Sequence, residues 1–357
     1  MGVDPHAIRL TRLVQGVRLS VVIPNYNHGS VIDRAIAAFA GQDPAPDEII
    51  VVDDGSSDDS LSILALMSGL YPTLRIVRLE TNQGTVAAMN HGLRAARGAF
   101  INFGAADDLT HPGLFAAALS CLERHPAAAY ACTEGLATDA DKRGAIGYRP
   151  PILPSFVEAF FSPAQAAELL RTMDNLVLTG TAIIRRDLIM AAGGFDPTLR
   201  SFADGLLLRQ LALRHGFCFV PRVGLTWHIS ASGFSRSEAG QVEQSLGVMQ
   251  GAVSRMRANA DFPSWYPDLF ERRWRFGLGR IAVAASPMTQ AVLLRLARGA
   301  LAAGLFRLAN LLGGRPGRYL ALACLMVQER PMSVIGVLRT ALFRRRRAWF
   351  RNRPRGG

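Results

Sequence analysis

Carboxylates punctuate this chain where apolar runs begin or end. Asp53-Asp54 follow Ile49-Ile50-Val51-Val52, Asp107-Asp108 follow Phe100-Ile101-Asn102-Phe103, and Asp204 heads the apolar stretch Leu206 to Leu213. Pro24, Asn25, Tyr26 and Asn27 close a further run, Val21-Val22-Ile23. Ionised carboxylates only accept hydrogen bonds and suit hard cations, while a tyrosine ring offers an aromatic face. Tyr26 and Asp54 together have the chemistry to stack on and hydrogen-bond a uracil-like base. A plainer reading stands beside this one. Asp and Ser cap helices well, so Asp53-Asp54-Gly55-Ser56, Asp107-Asp108 and Asp204 are also residues that helix starts favour.

The runs that precede these clusters are short and β-branched, as strands buried on both faces require. Ser30 to Ala40, Ser60 to Leu70 and Thr85 to Ala96 carry apolar residues at helical spacing, and Arg75 to Leu79 reads as another strand. Strands alternating with helices predict a mostly parallel sheet. Ligands of such sheets bind beyond the carboxyl ends of the strands, where the polar clusters fall. Pro150, Pro151 and Pro154 predict that Thr138 to Ser162 is a long loop. Beyond it, Thr179 to Arg185 reads as a strand, Asp187 to Ala192 as a short helix and Gly193-Gly194-Phe195-Asp196 as a turn. Cys218 to Val220 reads as a strand ended by a turn at Pro221. No Gly-x-Gly-x-x-Gly follows the first strand, because Pro24 to Asn27 stands there, which argues against a dinucleotide-binding oxidoreductase.

The chain has 357 residues, of which 49% are hydrophobic, too many for a solvated disordered chain. Cys121, Cys132, Cys218 and Cys324 are widely spaced, which fits buried thiols in a reducing compartment. No apolar run precedes Val21, so no signal peptide is expected and the predicted location is cytoplasmic. The positive charge is concentrated late: from Trp265 onward there are eighteen arginines against three acidic residues, whereas residues 1 to 264 hold 22 basic and 25 acidic side chains. A helix over Val292 to Leu312 would gather its leucines on one face, with Arg295, Arg298 and Arg307 interrupting the run before it could span a bilayer. Two fates are open for that face, packing on the rest of the protein or peripheral contact with an anionic membrane on its inner side. In the latter, Trp349 and Phe350 among the last arginines would assist. No nucleic-acid recognition fold accompanies the charge, so nucleic acid is not an expected partner. The expected domains are residues 1–236 and a helical, Arg-rich region 237–357.

The fragments VVIPNYN, EIIVVDDGSSDDS, NQGTVAAMNHGLRAARG and FINFGAADD, in this order, resemble the family 2 glycosyltransferases of the GT-A fold. The resemblance runs from about Leu19 to about Arg236. It implies an α/β fold with a mostly parallel, mixed sheet flanked by helices. It also implies transfer of a sugar, with inversion, from a nucleotide-diphosphate donor, a UDP-sugar foremost, to a hydroxyl of a saccharide or lipid-linked acceptor, as in polysaccharide or glycolipid synthesis. Pro24, Tyr26, Asn27, Asp53, Asp54, Gly84 and Asp107 match donor-binding positions. Asp107, with Asp108 and His228, matches the region that holds Mn²⁺ or Mg²⁺ against the diphosphate, and Trp227 stands where it would wall the acceptor. Asp204 matches the catalytic base. Two acids usual in the family are missing: Ala105 stands for the first aspartate of Asp-x-Asp, and Ala203 for the glutamate before the base. These departures keep a rival open, a non-catalytic nucleotide-sugar-binding or membrane-scaffold protein.

Overall fold

The computed structural model describes residues 18–139, 144–229 and 242–331. The Trp349 and Phe350 cluster, the N-terminal segment and the expected boundary after residue 236 lie outside these described residues. Those up to 169 and from 175 to 229 form one compact unit; those from 170 to 174 and from 242 to 331 form a second.

The first unit begins with β1 (Leu19–Asn25), β2 (Glu48–Asp53), β3 (Leu74–Arg78) and β4 (Phe100–Phe103), parallel and in the order β3-β2-β1-β4. Their crossovers are α1 (Gly29–Ala40), α2 (Ser60–Leu70) and α3 (Thr85–Ala95). Val21, Ile23, Ile49 and Val51 are fully buried against Ile32, Ile36 and Phe39 of α1, which explains why these strands are apolar throughout. Because the order turns back at β1, a crevice opens beyond the ends of β1 and β4. Pro24 fits this interior strand without breaking a ladder. Val22 O accepts from Gly104 N, so even-numbered β1 residues face β4, whose pairing ends at Val22 and Phe103.

Past β4 the sheet becomes mixed. β9 (Ala182–Arg185) lies antiparallel between β4 and β6 (Tyr130–Asp139); β10 (Phe217–Ile229) follows, then β5 (Leu109–Thr110). α4 (Leu114–Arg124), α5 (Pro163–Thr172), α6 (Arg186–Ala191) and α7 (Ala203–His215) complete the run of helices up to β10. Three expectations need correction. Residues 138–162 are not one loop, since β7 (Gly144–Arg149) pairs with β6 and β8 (Ala159–Phe161) with β10; their prolines sit between the strands. Thr179–Thr181 is a 3₁₀ turn, and only Ala182–Arg185 is strand. Pro221 does not end β10. The pairing with β6 slips between Val220 and Val223 and again before Leu225, a bulge that absorbs the missing N–H and lets the strand run on.

In the second unit, α8 (Val242–Ala258) packs against α9 (Tyr266–Ala284), and α9, α10 (Gln290–Leu296), α11 (Ala300–Leu312) and α12 (Gly314–Glu329) pack around Ala282, Leu293, Phe306, Ala309 and Leu325. The single helix expected over Val292 to Leu312 is broken, because Gly299 adopts φ 94° between α10 and α11. Arg275 and Arg298 reach the fully buried Glu329 at 3.0 Å each. Arg273 binds Asp174 at 3.0 Å and the carbonyls of Leu170, Arg171 and Pro331. Several arginines of the basic region therefore hold this unit together. No helix among the described residues is long and apolar enough to cross a membrane.

Candidate active site

The ends of β1 and β2 are tied by side chains. Asn25 Nδ2 donates to Asp53 Oδ2 at 3.0 Å, and Asp53 Oδ1 accepts from Ser56 N at 3.1 Å. Asn27, in a left-handed conformation with φ 56°, takes the amides of Ser57 and Asp58 on its Oδ1 and gives its own N–H to Ser56 Oγ. Asparagine tolerates that backbone region better than most residues. Tyr26 stands on this frame with 41% of its surface exposed, available to a ring-shaped ligand. Asp53 and Asn27 are thus builders of the loop.

Asp54 is buried. Its two carboxylate oxygens accept the main-chain N–H groups of Gln83 and Gly84, each at 2.8 Å. It orders the loop that enters α3. Gly84, with φ 91°, is the residue before that helix, and apart from its chain neighbours nothing lies within 4 Å of where its Cβ would be. A side chain is therefore excluded there by conformation, and the space before the backbone is open to a ligand.

The segment that follows β4 meets the end of β10 through β5. Leu109 and Thr110 pair with Thr226 and Leu225, which carries His228 to the Asp107-Asp108 pair. His228 N donates to Asp108 Oδ1 at 3.1 Å, and His228 Nδ1 lies 3.0 Å from the Asp107 carbonyl. A carbonyl can only accept, so Nδ1 carries a proton, and Nε2 is the ring nitrogen that could offer a lone pair. Burial, then the neighbouring Asp107 charge, push the Asp108 carboxyl up to about 8, against the opposing His228 N–H. Neither aspartate caps α4, whose N-cap is Gly113.

The carboxylates of Asp107 and Asp108, with His228 hydrogen-bonded to the same segment, are donor types that Mg²⁺ or Mn²⁺ accept. The donors form no closed cage: among the described residues, the grouped His, Cys, Asp and Glu ligand atoms are those of Cys121, His125 and Cys218. Any cation held by Asp107, Asp108 and His228 would therefore keep waters or ligand oxygens.

Asp204 is not the N-cap of α7; Phe202 is, and Asp204 lies in the first turn. Thr179 Oγ1 donates to its Oδ2 at 2.5 Å, and Gly205 N to its Oδ1 at 2.6 Å. Burial raises the Asp204 carboxyl above its ordinary value of 3.8, opposed by the Thr179 hydroxyl, the Gly205 N–H and the Arg209 charge. Arg209 stacks over Phe202 at 5.0 Å and donates to Gly205 O. The Thr179 turn adjoins the end of β4, since a Cβ on Gly180 would lie 3.7 Å from Phe103 O.

Two positioning residues escaped sequence reasoning. Thr179 was read as strand, although its hydroxyl holds Asp204. Asn90 of α3 brackets Phe195, accepting its N–H at 2.9 Å and donating to its carbonyl at 2.7 Å. That clamp fixes the turn at Gly193 and Gly194, where φ is 87° and 80°, and Phe195 packs edge-on against Phe103 of β4 at 4.8 Å. The asparagine inside the fragment NQGTVAAMNHGLRAARG is the signal that points to it.

Comparison with known proteins places these features in a lineage. The family described as Glycosyl transferase family 2 matches residues 20–189. An uncharacterized protein of Mycobacterium tuberculosis is 31% identical over 227 residues, which span 61% of this chain and 69% of that one. The succinoglycan biosynthesis protein ExoO of Rhizobium meliloti is 28% identical over 61% of this chain, and the match spans 62% of its own length, less than two thirds. Among solved structures, S. aureus TarS 1-349 in complex with UDP-GlcNAc superposes with a TM-score of 0.59 at 19% identity, over 88% of this chain and 90% of that one. The mannosyltransferase PcManGT from Pyrobaculum calidifontis, in complex with GDP-Man and Mn²⁺, gives 0.54 at 18% identity over 91% and 93%. At such identities the structural likeness is one of fold.

Proposed function

The chain belongs to glycosyl transferase family 2, and from that premise we propose that it moves a sugar, with inversion, from a nucleotide-diphosphate donor to a hydroxyl acceptor. A UDP-sugar is the favoured donor. The observation that supports the reading is Asp204: a carboxylate in the first turn of a helix, held by a threonine hydroxyl and raised by burial, has the chemistry of a general base. It would take the proton of the acceptor hydroxyl as that oxygen attacks the anomeric carbon. Such assistance contributes about 10²- to 10⁴-fold in rate.

On the donor side, the exposed Tyr26 ring would stack on the base, and the Asp54-braced Gly84 backbone would lie against the nucleotide. Asp107, Asp108 and His228 would hold a divalent cation, which supplies positive charge to the leaving diphosphate. That PcManGT is in complex with both GDP-Man and Mn²⁺ supports that assignment. The second unit leaves Leu301, Leu311 and Leu312 of α11 exposed near Arg307 and Arg315, which supports peripheral contact with an anionic membrane and so a lipid-linked acceptor.

A screen of UDP-, GDP- and dTDP-sugars for Mn²⁺-dependent thermal stabilisation, followed by donor-hydrolysis assays, tests the reading. A UDP-sugar is expected to stabilise most and to be turned over. Asp107→Ala is expected to abolish the Mn²⁺ enhancement while leaving the fold intact. Donor binding with no hydrolysis or transfer would favour the non-catalytic rival suggested by Ala105 and Ala203.

A further inference from the structure

Away from the candidate active site, the first unit gathers a second set of ligating side chains. Cys121 and His125 are four residues apart at the end of α4, so they share one face, and His125 is the helix C-cap. Cys218 is the second residue of β10. The Sγ atoms of the two cysteines and a ring nitrogen of His125 all lie within 4.8 Å of one another. Both cysteines are fully buried, and His125 is half-buried, giving a route in from solvent.

Neighbouring structure holds the set in place. β8 pairs antiparallel with β10 so that Phe160 is the register partner of Cys218, and the His125 ring stacks on Phe160 at 5.3 Å. Glu158, just before β8, pairs with Arg124. Burial works against the Glu158 charge, but hydrogen bonds from Arg124 and the Cys121 thiol bring its carboxyl below the ordinary value. Cys218, then burial and the Glu158 carboxylate, raise the Cys121 thiol above its ordinary value.

We propose that Cys121, His125 and Cys218 form a structural Zn²⁺ site, with the Glu158 carboxylate as fourth ligand. Two thiolates and imidazole are the donors a borderline-soft tetrahedral ion prefers. The charge also closes. Two thiolates cancel the dication, the imidazole is neutral, and Glu158 already has Arg124, so the core takes up no net charge. Binding exchanges two thiol protons, released to solvent, for two Zn–S bonds, with no change of oxidation state. Cys218 lies near the start of β10 and His228 near its end, roughly 30 Å apart at strand rise, so this metal would staple α4 to the sheet and take no part in transfer.

The test uses full-length protein, reduced and stripped with a chelator, then titrated with Co²⁺ as a spectroscopic stand-in. About one equivalent is expected to give the intense thiolate-to-cobalt charge transfer of a tetrahedral site and to be displaced by Zn²⁺, with a rise in Tm. Cys121→Ser with Cys218→Ser should abolish the band. His125→Ala, at a half-buried helix end, should weaken Co²⁺ binding at least about tenfold while keeping the far-UV spectrum. Asp107→Ala should keep the band. Absence of thiolate charge transfer in the wild-type protein, or its persistence at full affinity in His125→Ala, would overturn the proposal.

Discussion

Asp204 and Asp54 are both buried carboxylates, yet their partners give them different tasks. Asp204 has one hydroxyl, one amide and a nearby guanidinium, and burial still raises it. The charged form is thus disfavoured in the folded protein, and the neutral isostere in Asp204→Asn relieves that penalty. We expect this variant to keep donor affinity and a Tm no lower than wild type while transfer falls about 10²- to 10⁴-fold. Transfer at the wild-type rate would remove Asp204 from the reaction. Thr179→Val deletes a donor that favours the charged carboxylate, so the acidic limb of the kcat/KM profile should move up by about one pH unit or more. An unmoved limb would make Thr179 mere packing. Asp54→Asn sets an amide N–H against a main-chain N–H at Gln83 or Gly84, a mismatch of about 1–3 kcal/mol. Nucleoside diphosphate affinity should fall roughly 5- to 150-fold in calorimetry, whether or not the sugar is attached.

At the level of elements, the sheet is anchored at the end remote from the site. Glu48 of β2, 2% exposed, accepts from Ser20 of β1 at 2.7 Å, from Arg75 of β3 at 2.6 Å and from the Arg97 amide before β4 at 2.6 Å. Burial alone would raise its carboxyl, but these donors together lower it beneath the ordinary 4.5. A depressed carboxyl stabilises the fold above its unfolded value, and that contribution is lost as pH falls through the lower, folded value. Denaturant midpoints of wild type and Glu48→Gln should therefore differ most at neutral pH and converge in acid below 4.5. A gap constant with pH would mean that packing, not charge, is lost. The same sheet delivers the site at its other end, where the bulge at Pro221 sets the register that brings His228 to Asp108.

For the molecule as a whole, the arginine surplus divides into two uses. Arg273, Arg275 and Arg298 are spent on internal partners, whereas Arg307 and Arg315 are exposed near Leu301, Leu311 and Leu312 of α11, which are 80%, 83% and 54% exposed. Charge with adjoining apolar surface supports interfacial binding, with each surface-bound arginine contributing on the order of 1 kcal/mol, screened by salt. The full chain should sediment with anionic liposomes, weakly at high salt but retaining an apolar remainder. Leu301→Gln with Leu311→Gln and Leu312→Gln should remove that remainder. Equal sedimentation of the variant and wild type at every salt concentration would assign these leucines no part in membrane contact.

Much was legible without coordinates because it is local. Short β-branched runs, helical spacing and turn residues fall within one window of sequence, so β1, β2 and β4 and the helices between them were readable, as was the family to which their polar ends belong. The register of the distant half was not. Whether Pro221 ends a strand or bulges it depends on β6 pairing alongside, and β7 and β8 exist only because β6 and β10 offer them edges. The same holds for partners: nothing near Asp204 announces Thr179, nothing near Phe195 announces Asn90, and Cys121 lies 97 residues from Cys218. Residue types set which chemistry was available, since a carboxylate, a thiol or an imidazole brings its own donors and acceptors. Only the tertiary structure decided which of them share a dry, crowded space, because burial and long-range pairing, not type, determine whether a carboxylate braces a loop or holds a proton.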